Sequence, residues 1–161
     1  MPIRVAVLTV SDLGARGQRA DTSGDAIASW AAGRGFTLAA REVVPDESDL
    51  VARTLAMWAD DGAVDLIVTT GGTGLGPRDV TPEATRAVIE REAPGIAEAI
   101  RAATRESFPR SALSRGLAGT RAAALIVNLP GSPSGVSDGL AVLDPLVEHA
   151  VQILTGQPTD H

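Results

Sequence analysis

Leu66-Ile67-Val68-Thr69-Thr70-Gly71-Gly72-Thr73-Gly74-Leu75-Gly76-Pro77-Arg78-Asp79-Val80-Thr81-Pro82-Glu83 runs from an apolar stretch through a glycine loop into a helix start. Residues 66–69 have the β-branched, apolar character of a buried strand. The four glycines from Gly71 to Gly76 forgo side-chain packing and lose more backbone entropy on folding than other residues. Such a loop implies a ligand that approaches the main chain closely, although a tight structural turn is the plainer alternative. Beyond it, Thr81 reads as an N-cap, Pro82 suits the first helical position and Glu83 complements the positive end of the helix dipole. A strand, a glycine loop and a helix N-terminus together form an anion site. Arg78 and Asp79 add the guanidinium and carboxylate that a magnesium-bound phosphate needs.

Outward from this stretch, strands alternate with helices. Residues 4–10, 36–44 and 124–129 read as further strands. Helices are expected over 23–34, from a Ser48 cap onward with Leu50, Val51, Thr54, Leu55 and Trp58 on one face, over 82–92 and 94–107, and over 134–154. Asp144-Pro145 should interrupt the last. This order predicts an α/β fold: right-handed crossovers and a mainly parallel sheet covered on both faces. The carboxyl ends of parallel strands share one edge, where open α/β proteins bind ligands. Four loops should therefore converge: Ser11-Asp12, Asp46, residues 71–79, and Asn128-Leu129-Pro130-Gly131-Ser132-Pro133.

Within that convergence, Asp46 and Asp79 are lone carboxylates just beyond strands, a pattern suited to holding Mg²⁺. Their plainer roles are to cap a turn and to stabilise the helix after Thr81. Ser114-Arg115 could present a hydroxyl and a guanidinium to a phosphate, or lie in a solvated loop. Asp21-Thr22-Ser23-Gly24 reads more simply as a helix cap.

Composition excludes much else. At 161 residues the chain suits one domain, 1–161, with a frayed tail over 156–161. A net charge of −6 argues against nonspecific binding to nucleic acid or an anionic membrane. The chain has no cysteine, lysine or tyrosine, and all 14 basic residues are arginine. Disulfides, thiolate metal sites, Schiff bases and lysyl-adenylates are thereby excluded. The glycine loop also departs from both familiar phosphate loops: Pro77 stands at the sixth position counted from Gly72, and no glycine-lysine pair occurs. The spacing of His149 and His161 matches no metal-ligand or triad pattern. Metal-assisted phosphoryl or nucleotidyl transfer needs neither, because it works mainly by positioning and charge neutralisation. No apolar run reaches the ~20 residues of a membrane span and no signal peptide is visible, so a cytoplasmic location is expected.

Taken together, these motifs resemble the MogA/MoaB-type molybdopterin adenylyltransferases, a family that includes the G domains of gephyrin and its plant counterpart. The resemblance runs from Ser11-Asp12, Gly17, Asp21, Ser23 and Gly24 through Asp46, Thr70 to Glu83, Pro94-Gly95 and Leu113-Ser114-Arg115 to Asn128 and Pro133. It implies a three-layer α/β/α domain with a mixed, mainly parallel sheet and one antiparallel edge strand, assembled as a homotrimer or a hexamer. The implied reaction is adenylylation of molybdopterin by ATP, with pyrophosphate as the other product. By motif position Asp46 and Asp79 become the Mg²⁺ and catalytic carboxylates. Residues 71–74 and Ser114 hold molybdopterin and its phosphate, and residues 128–133 border the pterin or nucleotide. Other molybdenum-cofactor biosynthesis proteins are implied partners. Some MoaB-type members bind without efficient catalysis, which makes a noncatalytic carrier the alternative. A generic nucleotide-binding domain is a third.

Overall fold

The structure, a computed structural model, describes residues 1–160; His161 lies outside them. Its centre is a six-stranded sheet of β1 (Arg4–Val10), β2 (Thr37–Val44), β3 (Leu66–Thr70), β4 (Arg91–Glu92), β5 (Ala118–Arg121) and β6 (Ala124–Leu129). The order is β2-β1-β3-β6-β5-β4. β2, β1, β3 and β6 are mutually parallel, whereas β5 is antiparallel to β6 and β4 to β5. The antiparallel strand is therefore one in from the edge, and the edge itself is the two-residue β4. Neither β4 nor β5 has an apolar run or a period of two long enough to register in the sequence.

The helices are α1 (Asp12–Ala15), α2 (Thr22–Gly33), α3 (Ser48–Asp60), α4 (Thr81–Val88), α5 (Pro94–Arg105), α6 (Pro133–Leu143) and α7 (Val147–Leu154), with a 3₁₀ segment at Pro109–Leu113. They cover both faces of the sheet, which is why its central strands are continuously apolar rather than alternating. The pleat sends Val5, Val7, Leu66, Val68 and Val127 to one side, against Ile27 of α2, Ile100 of α5, Leu140 of α6 and Val151 of α7. It sends Ala6, Leu8, Ile67 and Ile126 to the other, against Val51 and Leu55 of α3 and Ala84 of α4. The result is the expected three-layer α/β/α arrangement.

Several boundaries differ from the expectations, for local reasons. The N-cap of α3 is Glu47 rather than Ser48, which lies inside the first turn. Val80, not Thr81, is the N-cap of α4, and the Thr81 hydroxyl donates instead to Gly71 O at 2.9 Å. α4 stops at Val88 because Glu90 N donates to Thr120 O, handing the chain to the sheet edge. The last helix does break at Asp144-Pro145. There Asp144 accepts from Trp30 Nε1 at 2.9 Å and pairs with Arg34 at 3.2 Å, tying the break to α2. The tail is less frayed than expected at its start, since Gly156 and Gln157 donate back to Ile153 and Gln152.

Strand order reverses direction between β1 and β3: the chain leaves β1 toward β2 on one side and continues through β3 and β6 on the other. The loops after β1 and β3 diverge there, opening a crevice beyond their carboxyl ends.

Candidate functional site

The glycine loop is shaped by two close approaches. Gly71 has φ +94°, and a Cβ there would lie 2.3 Å from Val10 O. Gly72 has φ +68°, and its Cβ would lie 2.3 Å from Thr81 Oγ1. Both positions combine a left-handed backbone with space that only hydrogen can occupy. The loop is also tied to the β6 turn, because Gly71 N donates to Leu129 O at 3.2 Å and Thr70 Oγ1 to Pro130 O at 2.7 Å. Ser23 Oγ donates to Gly131 O at 2.8 Å from the start of α2. All four expected loops meet at the carboxyl edge of the sheet.

They enclose two adjoining lobes. The first, about 480 Å³, is lined by residues from the ends of β1 and β3, the start of α2, Asp46 and Pro133; Ser11, Thr70 and Gly71 belong to it. The second, about 600 Å³, is lined by Thr73, Gly74, Ser114, Pro130 and Ser132 together with α5 and the 3₁₀ segment. Gly72, Asp79 and Gly131 line both. Asp79 therefore stands at the junction, while Asp46 faces the first lobe alone. Asp79 Oδ2 accepts from Gly76 N at 2.8 Å, so its carboxylate folds back over its own loop.

Asp46 is held by a reciprocal pair: Asp12 N donates to Asp46 Oδ2 at 2.8 Å, and Asp46 N donates to Asp12 Oδ1 at 3.0 Å. Burial raises the Asp46 pKa above its ordinary value, and the charges of Asp12 and Asp79 add to that, against the opposing Asp12 amide bond. Asp12 is shifted the other way. The hydrogen-bonded Arg78 guanidinium, then the Asp46 amide, lower its pKa to about 2.

Four residues read from the sequence as site residues line neither lobe, and each is occupied within the protein. Arg78 grips Asp12 bidentately, Nε to Oδ2 at 3.0 Å and Nη2 to Oδ1 at 2.8 Å. Thus Arg78 neutralises Asp12, and Asp12 in turn holds Asp46. The buried Asn128 donates through Nδ2 to Thr69 Oγ1 at 2.9 Å and Thr85 Oγ1 at 3.0 Å, and accepts from Leu117 N at 3.2 Å. It stitches β6 to its neighbours and lines neither lobe. Arg115 binds the glycine loop: Nε donates to Gly74 O at 2.8 Å, Nη2 to Asp79 O at 2.9 Å, and Nη1 pairs with Glu83. Two further site residues line a lobe but spend their hydroxyls as caps. Ser11 Oγ accepts from Gly14 N at 3.0 Å, and Ser132 Oγ from Gly135 N at 3.2 Å. Ser114 Oγ lies 3.4 Å from Thr73 Oγ1 across the second lobe's rim.

The sequence reading missed the far wall of the second lobe. Arg101 reaches from α5 to Gly116 O at 2.7 Å and Ser114 O at 3.3 Å, bracing the Ser114 turn. Phe108 is 43% exposed, with the Arg110 guanidinium 5.0 Å from its ring centroid. One of only four aromatic residues in the chain, Phe108 was the available signal. Asp21 caps α2 as expected, accepting from Gly24 N at 3.0 Å, and also lines the first lobe.

These features define a class: an open α/β domain with a two-lobed ligand cleft at its topological switch point and a lone carboxylate where the lobes join. Comparison with known proteins narrows it. The family described as "Probable molybdopterin binding domain" matches residues 6–149. A Helicobacter pylori protein named molybdopterin adenylyltransferase is 37% identical over 158 residues, covering 96% of this chain and 89% of that one. The Drosophila melanogaster molybdenum cofactor synthesis protein cinnamon is 40% identical over 154 residues; the match covers 94% of this chain, which spans only 26% of that longer protein. Among solved structures, the molybdopterin biosynthesis enzyme MoaB from Thermus thermophilus superposes with a TM-score of 0.90 at 51% identity, over 97% of this chain and 98% of that one. The chain belongs to the molybdopterin-binding domain family, of the MogA/MoaB type.

Proposed function

We propose that this chain is a magnesium-dependent molybdopterin adenylyltransferase, joining molybdopterin and the AMP portion of ATP and releasing pyrophosphate. The observation that carries this is the position of Asp79, shared by two lobes large enough for one substrate each. A transfer between two phosphate-bearing substrates requires their reacting groups to meet at one point, and the lobes touch at Gly72, Asp79 and Gly131. The name of the Helicobacter relative agrees with this reading.

The second lobe suits the pterin, with the exposed Phe108 ring and the Arg101 and Arg110 guanidiniums on one wall. The first suits the nucleotide, with Asp46 on its flank and the Gly71-Gly72 backbone at its floor. In the reaction a terminal phosphate oxygen of molybdopterin attacks the α-phosphorus of ATP, and the bond to the bridging oxygen of the β-phosphate breaks. The attacking phosphate has a second pKa of about 6, so it carries no proton to remove near neutral pH. No histidine, cysteine or lysine is then needed, in keeping with a chain that has neither of the last two.

The donor set fits magnesium. Asp46 and Asp79 both lie close against the loop: a Cβ at Gly72 would lie 3.2 Å from Asp46 Oδ1, and Cβ atoms at Gly74 and Gly76 would each lie 2.9 Å from Asp79 Oδ2. Among the described residues no three His, Cys, Asp or Glu side chains group to enclose a metal. A hard cation held by one or two carboxylates, with phosphate oxygens and water completing the shell, is the usual magnesium arrangement. When bound, the ion would supply charge neutralisation for the phosphates. The protein's part is to align the two phosphates and to hold both carboxylates in place. A homotrimeric assembly, a cytoplasmic location and handling of the product by other cofactor-assembly proteins complete the proposal.

The test is release of pyrophosphate from Mg-ATP that depends on added molybdopterin. Pterin binding without any such release would replace the enzyme by a carrier.

A further inference from the structure

The geometry points to Arg115 as a positioning residue for this reaction: it sets the glycine loop so that Asp79 stands between the lobes, and it touches neither substrate. The inference rests on the adenylyltransferase reading and deepens it. Arg115 lines neither lobe, although a sequence reading makes it a phosphate ligand.

Its guanidinium spans the loop. Nε holds Gly74 O at 2.8 Å, at the loop's middle, and Nη2 holds Asp79 O at 2.9 Å, at its end. Nη1 meets Glu83 in the first turn of α4, and the Arg115 main-chain N donates to Thr73 O at 2.7 Å. One side chain thus fixes the two ends of residues 74–79 relative to each other and to the helix that follows. Only a planar fork with several donors reaches three acceptors in this way; an ammonium, a point charge on a flexible stem, does not. Carbonyl oxygens facing a cleft that is to receive phosphates would repel them, and the guanidinium keeps two of these turned toward itself. Arg115 also follows Ser114 directly, so the pterin-side wall is tied to the Asp79 loop through its side chain.

The experiment compares Arg115→Gln and Arg115→Lys with the wild type in two measurements. Steady-state kinetics with molybdopterin and Mg-ATP should show kcat lowered more than about tenfold in both, with KM for molybdopterin changed less than about threefold. Guanidinium at millimolar concentration should restore part of the lost kcat in an Arg115→Ala variant. Millisecond hydrogen exchange at the Gly76 and Asp79 amides, which needs no turnover, should be faster in Arg115→Gln than in the wild type. Unchanged exchange at those amides would overturn the inference even if the wild type proved inactive, an outcome that would separately defeat the adenylyltransferase reading. A KM for molybdopterin raised more than about tenfold with kcat retained would also overturn it, making Arg115 a substrate ligand.

Discussion

Asp12, Asp46 and Asp79 share one edge of the sheet yet sit in different electrostatic surroundings. Asp12 forms a surface ion pair with Arg78 and carries a pKa of about 2, against an ordinary 3.8. A carboxylate whose folded pKa is depressed stabilises the fold above its unfolded value, and that contribution fades as pH falls toward the folded value. Urea unfolding of wild type and Arg78→Gln should therefore differ at pH 5 and above and converge as the pH is lowered from about 4 to about 2. The gap should be small, because exposed pairs contribute little. Asp46 and Asp79 separate by lobe. Asp46→Asn is expected to lower kcat well over tenfold and to weaken Mg-nucleotide binding while leaving pterin affinity in the absence of ATP within about threefold. Asp79→Asn should lower kcat similarly but alter the binding of both substrates. Calorimetric titration of each variant with each substrate checks the distinction. At this scale the sequence revealed residue types but not partners. That Asp46 and Asp79 stand at the cleft edge was legible from their place after strands. The diversion of Arg78, Asn128 and Arg115 into internal bonds was not, since each depends on a residue 32 or more positions away.

At the scale of elements, the legible parts were those whose signal is local. The strands Arg4–Val10 and Ala124–Leu129 have the bounds expected from their apolar, β-branched character. The proline at 145 broke the last helix, as its missing amide requires. Helix caps were less legible: Ser48 and Thr81 have cap chemistry, but a hydroxyl inside the first turn finds other partners, as Thr81 does at Gly71 O. β4 and β5 exist only because β6 offers them an edge, and no property of Arg91-Glu92 reports that. Asn128 illustrates how elements are joined: its amide links β6 to Thr69 of β3, to Thr85 of α4 and to Leu117 just before β5. Asn128→Ala would leave Leu117 N buried without its acceptor and two threonine hydroxyls without their donor. It should lower stability by about 1–3 kcal/mol in chemical denaturation. If Asn128 faced the ligand instead, stability would hold and pterin affinity would fall.

For the whole molecule, the fold's contribution is convergence. Parallel strands carry four loops to one edge, and the reversal of strand order between β1 and β3 opens the crevice they surround. The acidic net charge and the absence of lysine leave arginine as the cation that organises this edge, and the ones best placed, Arg78, Arg101 and Arg115, are spent on holding loops. Beside backbone and hydroxyls, the lobes present the carboxylates of Asp21, Asp46, Asp79 and Asp138 and the arginines Arg19 and Arg110. In the proposed reaction the two phosphates meet where these lobes join, at Gly72, Asp79 and Gly131. Incubation of the wild-type protein with molybdopterin, Mg²⁺ and ATP labelled at the α-phosphorus is the most direct test. The account predicts that label moves to the pterin in equal amount to the pyrophosphate released. Label remaining in ATP while molybdopterin is bound stoichiometrically would contradict it.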